Sequence, residues 1–281
     1  MEFGILGGDK RQGYLAQAIA EDGHSVAVCG LGEMPQTAHL KAMDFETLTK
    51  RCSLILLPLP ATRDGRYLFA PGSQEAIPLG DGFAEALKGA EVYGGLMDPV
   101  VKTSRLWQEI DYGDYYKEEA LVLGNAMLTA EGAVAKAIEA HPGGLHRSRC
   151  LVTGFGRIGK DLCRLLRGFG ARVDCAARKP RDLVGIRTLG VGALEYGEIR
   201  ACYDVIFNTV PQTVLGSAVL ERQDGETLIL ELASKPGGVD PEAASRQGIR
   251  VLDCPSLPGL YSPMAAGTYI KEAVYHMMAE R

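Results

Sequence analysis

The chain has 281 residues, 46% of them hydrophobic, with a formal net charge of −5 and a pI near 5.6. That length allows roughly two domains of ordinary size, and the acidic balance argues against a nucleic-acid or membrane-surface protein because no basic field dominates. No apolar run approaches the roughly 18–20 residues of a membrane span, and Met1-Glu2 leads straight into a strand without a basic leader, so the chain reads as cytoplasmic. Its seven cysteines are odd in number and scattered without a C-x-x-C pair, which speaks against a disulfide framework or a metal site.

In chain order, residues 3–6 read as a strand, 7–9 as a turn and 12–21 as a helix. Asp22-Gly23-His24 turns the chain into a second strand at 25–29, and 53–57 is a buried strand ending at Pro58. Residues 84–87 and 91–93 give a further helix–strand step. Strands alternating with helices imply a parallel, doubly wound sheet. Residues 60–82, rich in Pro, Gly and charge, read as a long loop or lid. Residues 118–123 resemble the last strand of this half. A helix over 129–140 follows, with Thr129 as N-cap and Glu131 and Gly132 in its first turn, and His141-Pro142-Gly143-Gly144 ends it.

The second half opens with Arg-Cys-Leu-Val-Thr-Gly-Phe-Gly-Arg-Ile-Gly at 149–159, an apolar strand running into a glycine triplet at dinucleotide-binding spacing. Gly154 permits the tight turn, Gly156 lets the backbone approach a pyrophosphate, and Gly159 lets the helix over 158–169 press on the sheet. Gly154, Phe155, Gly156, Arg157, Ile158 and Gly159 thus form the candidate phosphate cradle, with the positive end of the helix dipole facing the ligand. NAD sites place an acid at the tip of the next strand. Here the strand over 171–176 carries Asp174 too early and ends in Arg178-Lys179, a pair suited to a 2′-phosphate, so NADP is the expected cofactor. Strands at 205–208, 228–232 and 251–253 follow. Thr209-Val210-Pro211, residues 234–238 and Pro258-Gly259 then read as strand-end loops flooring the nicotinamide. The final stretch, 264–280, is helical.

The expected fold is α/β: two doubly wound parallel-sheet (Rossmann-like) domains with a cleft between them. Residues 1–125 form an N-terminal substrate domain on which the helix at 264–281 packs back. Residues 126–145 are an interdomain helix and linker, and 146–263 the NADP-binding domain.

The blocks Gly7-Gly8-Asp9-Lys10-Arg11-Gln12, Glu131-Gly132, Thr153 to Gly159, Asn208-Thr209-Val210-Pro211, Ala233 to Gly238 and Leu257-Pro258-Gly259 resemble the A subunit of dipicolinate synthase from spore-forming bacteria, in order and at similar separations. Glu231 stands where that family is expected to carry an Asp, and no role is assigned to it. The resemblance implies NADP-dependent oxidation of a dihydrodipicolinate-type intermediate to pyridine-2,6-dicarboxylate. It also implies a partner, the flavoprotein-like B subunit, and the mother-cell cytoplasm as location.

A dicarboxylate is best held by several cationic donors. On this reading Arg11 is the first candidate for a carboxylate clamp, at a strand–helix turn that favours an anion. Lys10, Gln12, Ser234 and Arg63 are further substrate contacts, and Lys235, the third cationic candidate and a candidate catalytic residue, approaches the cleft from the nucleotide domain. Glu131 and Asp9 are candidate general bases, each equally readable as a helix-cap carboxylate. None of the five histidines has a distinctive partner. Two alternatives stay open. One is a 2-hydroxyacid or amino-acid dehydrogenase, though no catalytic His–acid or Lys–His pair stands out. The other is a nucleotide-binding regulatory or scaffold subunit whose chemistry resides in a partner. The sequence leaves open the hydroxylated or dehydrated form of the substrate and whether the chain forms a homo-oligomer.

Overall fold

The computed structural model describes residues Met1–Glu280. In chain order the first elements are β1 (Glu2–Leu6), α1 (Lys10–Glu21), β2 (Ser25–Cys29), β3 (Lys41–Ala42), α2 (Phe45–Arg51), β4 (Leu54–Leu56), α3 (Asp81–Ala86), β5 (Glu91–Gly94), α4 (Asp98–Val101), β6 (Asp111–Asp114) and α5 (Glu119–Ala140). Then come β7 (Arg149–Thr153), α6 (Arg157–Gly168), β8 (Arg172–Ala176), α7 (Pro180–Thr188), β9 (Gly192–Leu194), β10 (Val205–Asn208), α8 (Ser217–Leu220), β11 (Leu228–Glu231), α9 (Pro241–Arg246), β12 (Arg250–Asp253), α10 (Leu257–Tyr261) and α11 (Pro263–Ala279). They form two compact units: Met1–Asn125 with the segment from Ser262 onward, and Ala126–Tyr261.

Each unit is built on a six-stranded, all-parallel sheet. The first has the order β3-β2-β1-β4-β5-β6 and the second β9-β8-β7-β10-β11-β12. Both therefore wind outward from a switch point, between β1 and β4 or between β7 and β10, as the sequence pattern implied. Strands covered on both faces read as continuous apolar runs, and alternate residues feed two cores. In the first unit Leu6 and Ile55 join one face, while Phe3, Ile5 and Leu56 join the other. In the second unit Val152 and Phe207 pack on one side, and Leu151 and Ile206 on the opposite one.

Helix α11 lies along α1. A side chain at Gly267 would sit 2.7 Å from the Arg11 carbonyl oxygen, so only glycine permits this approach. Ile270, Ala273 and Val274 enter the same core as Phe3.

Three expectations are corrected. Residues 118–123 are not a strand, and Thr129 is not a cap: α5 is one helix of 22 residues from Glu119. Its Ala- and Leu-rich stretch favours a helix over the strand suggested by its Val. The sixth strand is instead β6, whose Asp-Tyr-Gly-Asp sequence carries no strand signature; a side chain at Gly113 would strike the Tyr93 ring. Helix α5 is also long and apolar enough, by length and composition, to cross a membrane. Half of that stretch is buried in protein, and Ala130, Ala133, Val134 and Ala137 belong to the second unit's core. Finally, residues 60–82 are tied down rather than lid-like. Thr62 Oγ1 donates to Tyr67 O (2.6 Å), Asp64 accepts from the Arg66 and Tyr67 amides, and Phe69 N donates to Ala61 O (2.8 Å).

Candidate nucleotide site

The turn after β7 shows what each glycine does. Gly154 has φ +92°, and a side chain there would meet Thr209 Oγ1 at 2.5 Å. A Cβ at Gly159 would collide with the Gly154 carbonyl oxygen, so glycine sets how closely α6 seats on the turn. Gly156 differs, because a Cβ there meets nothing within 4 Å. It is the N-cap of α6 and supplies no side-chain cap to the helix. A helix end without a side-chain cap, where the positive end of the dipole lies, favours an anion such as a pyrophosphate. Phe155 turns outward to pack on Gly185, with the Lys160 ammonium 5.5 Å from its ring centre. Ile158 packs against the core, and Arg157 opens the helix at the exposed rim.

At the tip of β8, Arg178 and Lys179 are exposed, and Lys179 is the N-cap of α7 without a side-chain cap. The strand's one acid is spent elsewhere: Asp174 Oδ2 accepts from the Tyr203 hydroxyl at 2.9 Å. The two residues at the tip are thus both cations, and the next acid in the chain, Asp182, lies in the first turn of α7. Half-buried Tyr196 lies close enough to Arg178 for the guanidinium to favour its phenolate, although burial raises its phenol overall.

The strand ends hold a polar row that sequence reasoning missed. Thr153, Asn208 and Glu231 share one register across β7, β10 and β11. Thr153 Oγ1 donates to Asn208 Oδ1 (2.5 Å), and Asn208 Nδ2 donates to Glu231 Oε1 (2.6 Å) and Val210 O (3.0 Å). Glu231 also accepts from Ala233 N (3.0 Å) and Gly238 N (2.9 Å). Thr209 Oγ1 closes onto Thr153 O at 2.7 Å. The signal was present in the sequence: each of these apolar strands ends in a polar residue. Thr209 and Val210 lie half-buried at the switch point, while Pro211, Ser234 and Lys235 are exposed at the strand-end loops. Pro258 and Gly259 do not form such a loop; they are buried in α10.

The corresponding turn in the first unit is already filled. Gly8 N donates to Phe69 O (2.7 Å), and Asp9 caps α1 by accepting from Arg11 N (3.0 Å). Arg11, expected as a free carboxylate clamp, is instead buried; it donates to both Asp9 oxygens (2.9 and 2.8 Å) and to Leu59 O (2.5 Å). Lys10 is exposed, and the exposed Arg63 guanidinium lies 4.1 Å over the Phe69 ring. Gln12 is fully buried, and its amide makes no well-formed hydrogen bond among the described residues, with the Tyr115 hydroxyl as a polar neighbour. Beside it the Tyr115 hydroxyl is spent on Leu57 O (2.8 Å), and burial raises that phenol far above its ordinary value. Glu131 is exposed midway along α5 rather than in a first turn. Its neighbour Gly132 is a packing residue, since a Cβ there would press on Leu257 at 2.9 Å.

Residues 2–115 match the family described as the N-terminal domain of the dipicolinate synthase A subunit. Residues 124–224 match the D-isomer specific 2-hydroxyacid dehydrogenase, NAD binding domain. The dipicolinate synthase A subunit of Bacillus subtilis (strain 168) is 26% identical over 286 residues, covering 100% of this chain and 96% of that protein. The resemblance to the dipicolinate synthase A subunit holds along the whole chain. A crystal structure of the Bacillus subtilis dipicolinate synthase A chain superposes with a TM-score of 0.82 at 25% identity, covering 100% of this chain and 96% of that one. The A subunit from Bacillus halodurans gives 0.86 at 26% identity, covering 100% and 98%. A transhydrogenase from Sinorhizobium meliloti, 14% identical with a TM-score of 0.70 and covering 99% and 94%, shares the fold alone. The dehydrogenase-type domain supports an oxidoreductase with a nicotinamide cofactor, and the relative's designation as a subunit implies a partner chain.

Proposed function

We propose that the chain is the NADP-dependent A subunit of a dipicolinate synthase, oxidising a dihydrodipicolinate-type intermediate to dipicolinate. The observation that carries the reading is the glycine turn at Gly154–Gly159, without a side-chain cap, and a strand tip whose two residues are Arg178 and Lys179, in a chain resembling that subunit over its full length. Bound NADP supplies the hydride acceptor. The chain's own part begins at the cradle, where Gly154, its N–H bonded to Ala176 O, makes the turn and the backbone from Phe155 through Gly156, Arg157 and Ile158 to Gly159 is proposed to receive the pyrophosphate. Arg178 takes the 2′-phosphate by paired N–H bonds and Lys179 as a point charge. Thr209, Val210 and Pro211 wall the crevice at the carboxyl end of β10.

Ser234 and Lys235, exposed on the next loop, are proposed to meet a substrate carboxylate. Lys10, Gln12 and Arg63 are proposed substrate contacts of the first unit. There Arg11 and Asp9 hold each other and Leu59 in place, and neither Asp9 nor Glu131 shows the geometry of a poised base. The proposal extends to the mother-cell cytoplasm as location and, as partner, to a flavoprotein-like B subunit.

Calorimetric titration of the purified chain with NADP and NAD tests the cofactor. Arg178→Asp should lower the NADP-to-NAD preference in kcat/KM by about 10–100-fold, the equivalent of losing one or two charge-assisted bonds. An unchanged ratio removes the assignment of that corner. Dipicolinate absorbance with and without the B subunit tests the enzyme reading. Turnover only with the partner would favour the scaffold alternative, which gains weight here because Asp9 and Arg11 are committed to each other.

A further inference from the structure

We infer that Glu231 is a positioning residue for the nicotinamide end of the cofactor, tying the loop over 232–238 to the phosphate turn through Asn208. The inference rests on the functional reading above, and it gives a role to a residue that the resemblance left without one. Three strand-end loops meet in one chain of hydrogen bonds. The turn at Gly154 is joined to Thr209 through the Thr153 carbonyl and the Thr209 hydroxyl (2.7 Å). Thr153 Oγ1 then donates to Asn208, and Asn208 donates to Glu231. Glu231 finally gathers the far loop by accepting from the amides of Ala233 and Gly238.

Direction matters in this chain. Three donors, Asn208 Nδ2, Ala233 N and Gly238 N, converge on two carboxylate oxygens, and a carboxylate alone offers acceptors on both sides. Asn208 cannot turn its amide over to help, because its Oδ1 already accepts from Val210 N (3.3 Å) and Thr153 Oγ1. The backbone has been fitted to the arrangement. Gly237 has φ +87°, and a Cβ at Gly238 would lie 2.5 Å from both Asn208 Nδ2 and the Val210 carbonyl oxygen. The segment held in this way presents Ser234 and Lys235 to solvent, and Glu231 itself is half-buried. It therefore acts through its loop and not on the reacting atoms.

Glu231→Gln is the decisive substitution. Whichever way the new amide turns, its NH₂ faces a donor: Gly238 N on one side, or Asn208 Nδ2 and Ala233 N on the other. The expected result is a 10–100-fold fall in kcat, the scale of a displacement of about 1 Å at a reacting group. The dissociation constant for NADP should stay within about threefold, because the phosphate cradle and the basic tip are untouched. A rise in the deuterium isotope effect on kcat should accompany the fall, since hydride transfer becomes limiting when the reactants are misaligned; a simple loss of folded protein would not produce it. Hydrogen exchange at the Ala233 and Gly238 amides should speed up at least tenfold, and Glu231→Asp, which keeps the carboxylate, should recover part of both effects.

If wild type turns over and Glu231→Gln keeps kcat and both amide protections, the inference falls while the functional reading stands. If wild type binds neither NADP nor NAD, the functional reading falls and takes the inference with it. Parallel loss of NADP affinity and kcat would also overturn it, showing that Glu231 supports the whole unit and not the nicotinamide end.

Discussion

Replacing Gln12 with Met is expected to make the protein more stable and less active. Gln12 sits in the first turn of α1 with both amide atoms buried and without a well-formed hydrogen bond among the described residues. A Cβ at Gly8 would lie 2.5 Å from its Oε1, so the amide is pressed onto the turn backbone. Leaving a polar group buried without a partner costs about 1–3 kcal/mol, whereas an apolar group of the same shape carries no such cost. Met matches Gln in length, lack of branching and helix propensity, which isolates the amide as the variable. The gain should therefore be about 1–3 kcal/mol, and each kcal/mol raises Tm by roughly 2–4 °C in proteins of this size class. If the amide serves the dicarboxylate, KM for the substrate should rise while the NADP dissociation constant stays fixed. Thermal unfolding of both proteins, with substrate saturation curves, reads the two effects separately. A Tm that falls in Gln12→Met would refute the reasoning, because it would mean that the amide has a partner, such as an internal water, worth more than its burial costs.

Three further outcomes follow from the nucleotide turn and from the C-terminal helix. Gly159→Ala should cost about 1–3 kcal/mol of stability through overpacking on the Gly154 carbonyl and should weaken NADP binding. Gly156→Ala should leave stability unchanged, since its Cβ enters open space, yet should weaken NADP binding by filling the phosphate approach; calorimetry beside thermal melts separates the two. Asp22 accepts from Lys271 Nζ (2.8 Å) and the Tyr275 hydroxyl (3.0 Å), bonds that hold its carboxyl below the usual range. A folded pKa below the unfolded one gives stability that is present above pH about 4 and is lost as pH falls through the folded value. Urea midpoints measured from pH 7 to pH 3 should therefore fall more steeply in wild type than in Asp22→Asn.

The phosphate turn and the two parallel sheets were legible because their signals are local. A strand, three spaced glycines and an amphipathic helix are each set by nearby residues, and the structure keeps them together. The strand assigned to 118–123 was misread because short apolar runs do not declare their period, and only packing against Tyr269 and the second unit's core settles α5 as a helix. β6 was invisible for the opposite reason: Asp111–Asp114 is polar, and pairing with β5 makes it a strand. At the candidate site, Arg11 looked like a free cation because nothing in Asp9-Lys10-Arg11 reveals that Asp9 would turn back to grip it. The row from Thr153 through Asn208 to Glu231 depends on three strands meeting in register, which residues some 55 and 23 positions apart do not announce.

The two units show how little separates a ligand-binding turn from a structural one. Both sheets have the same strand order, and both first helices begin directly after a glycine-containing turn. At α1 the helix end is taken: Asp9 caps it, Arg11 fixes Asp9 from both oxygens, and the Phe69 carbonyl occupies the Gly8 amide. A phosphate at that end would find the Arg11 N–H already given to Asp9 and the Gly8 N–H already given to Phe69 O, so two of the donors that could hold it are spent. Asp9 cannot swing aside without stranding a buried guanidinium, a loss of about 3–5 kcal/mol. At α6 none of these groups exists, since the cap is Gly156 and the residues beside it are Phe155 and Arg157. The same fold therefore has its turn donors taken at one helix end and no side-chain cap at the other. The difference lies in a single capping position, Asp9 against Gly156, and in the cation that locks the first of them in place.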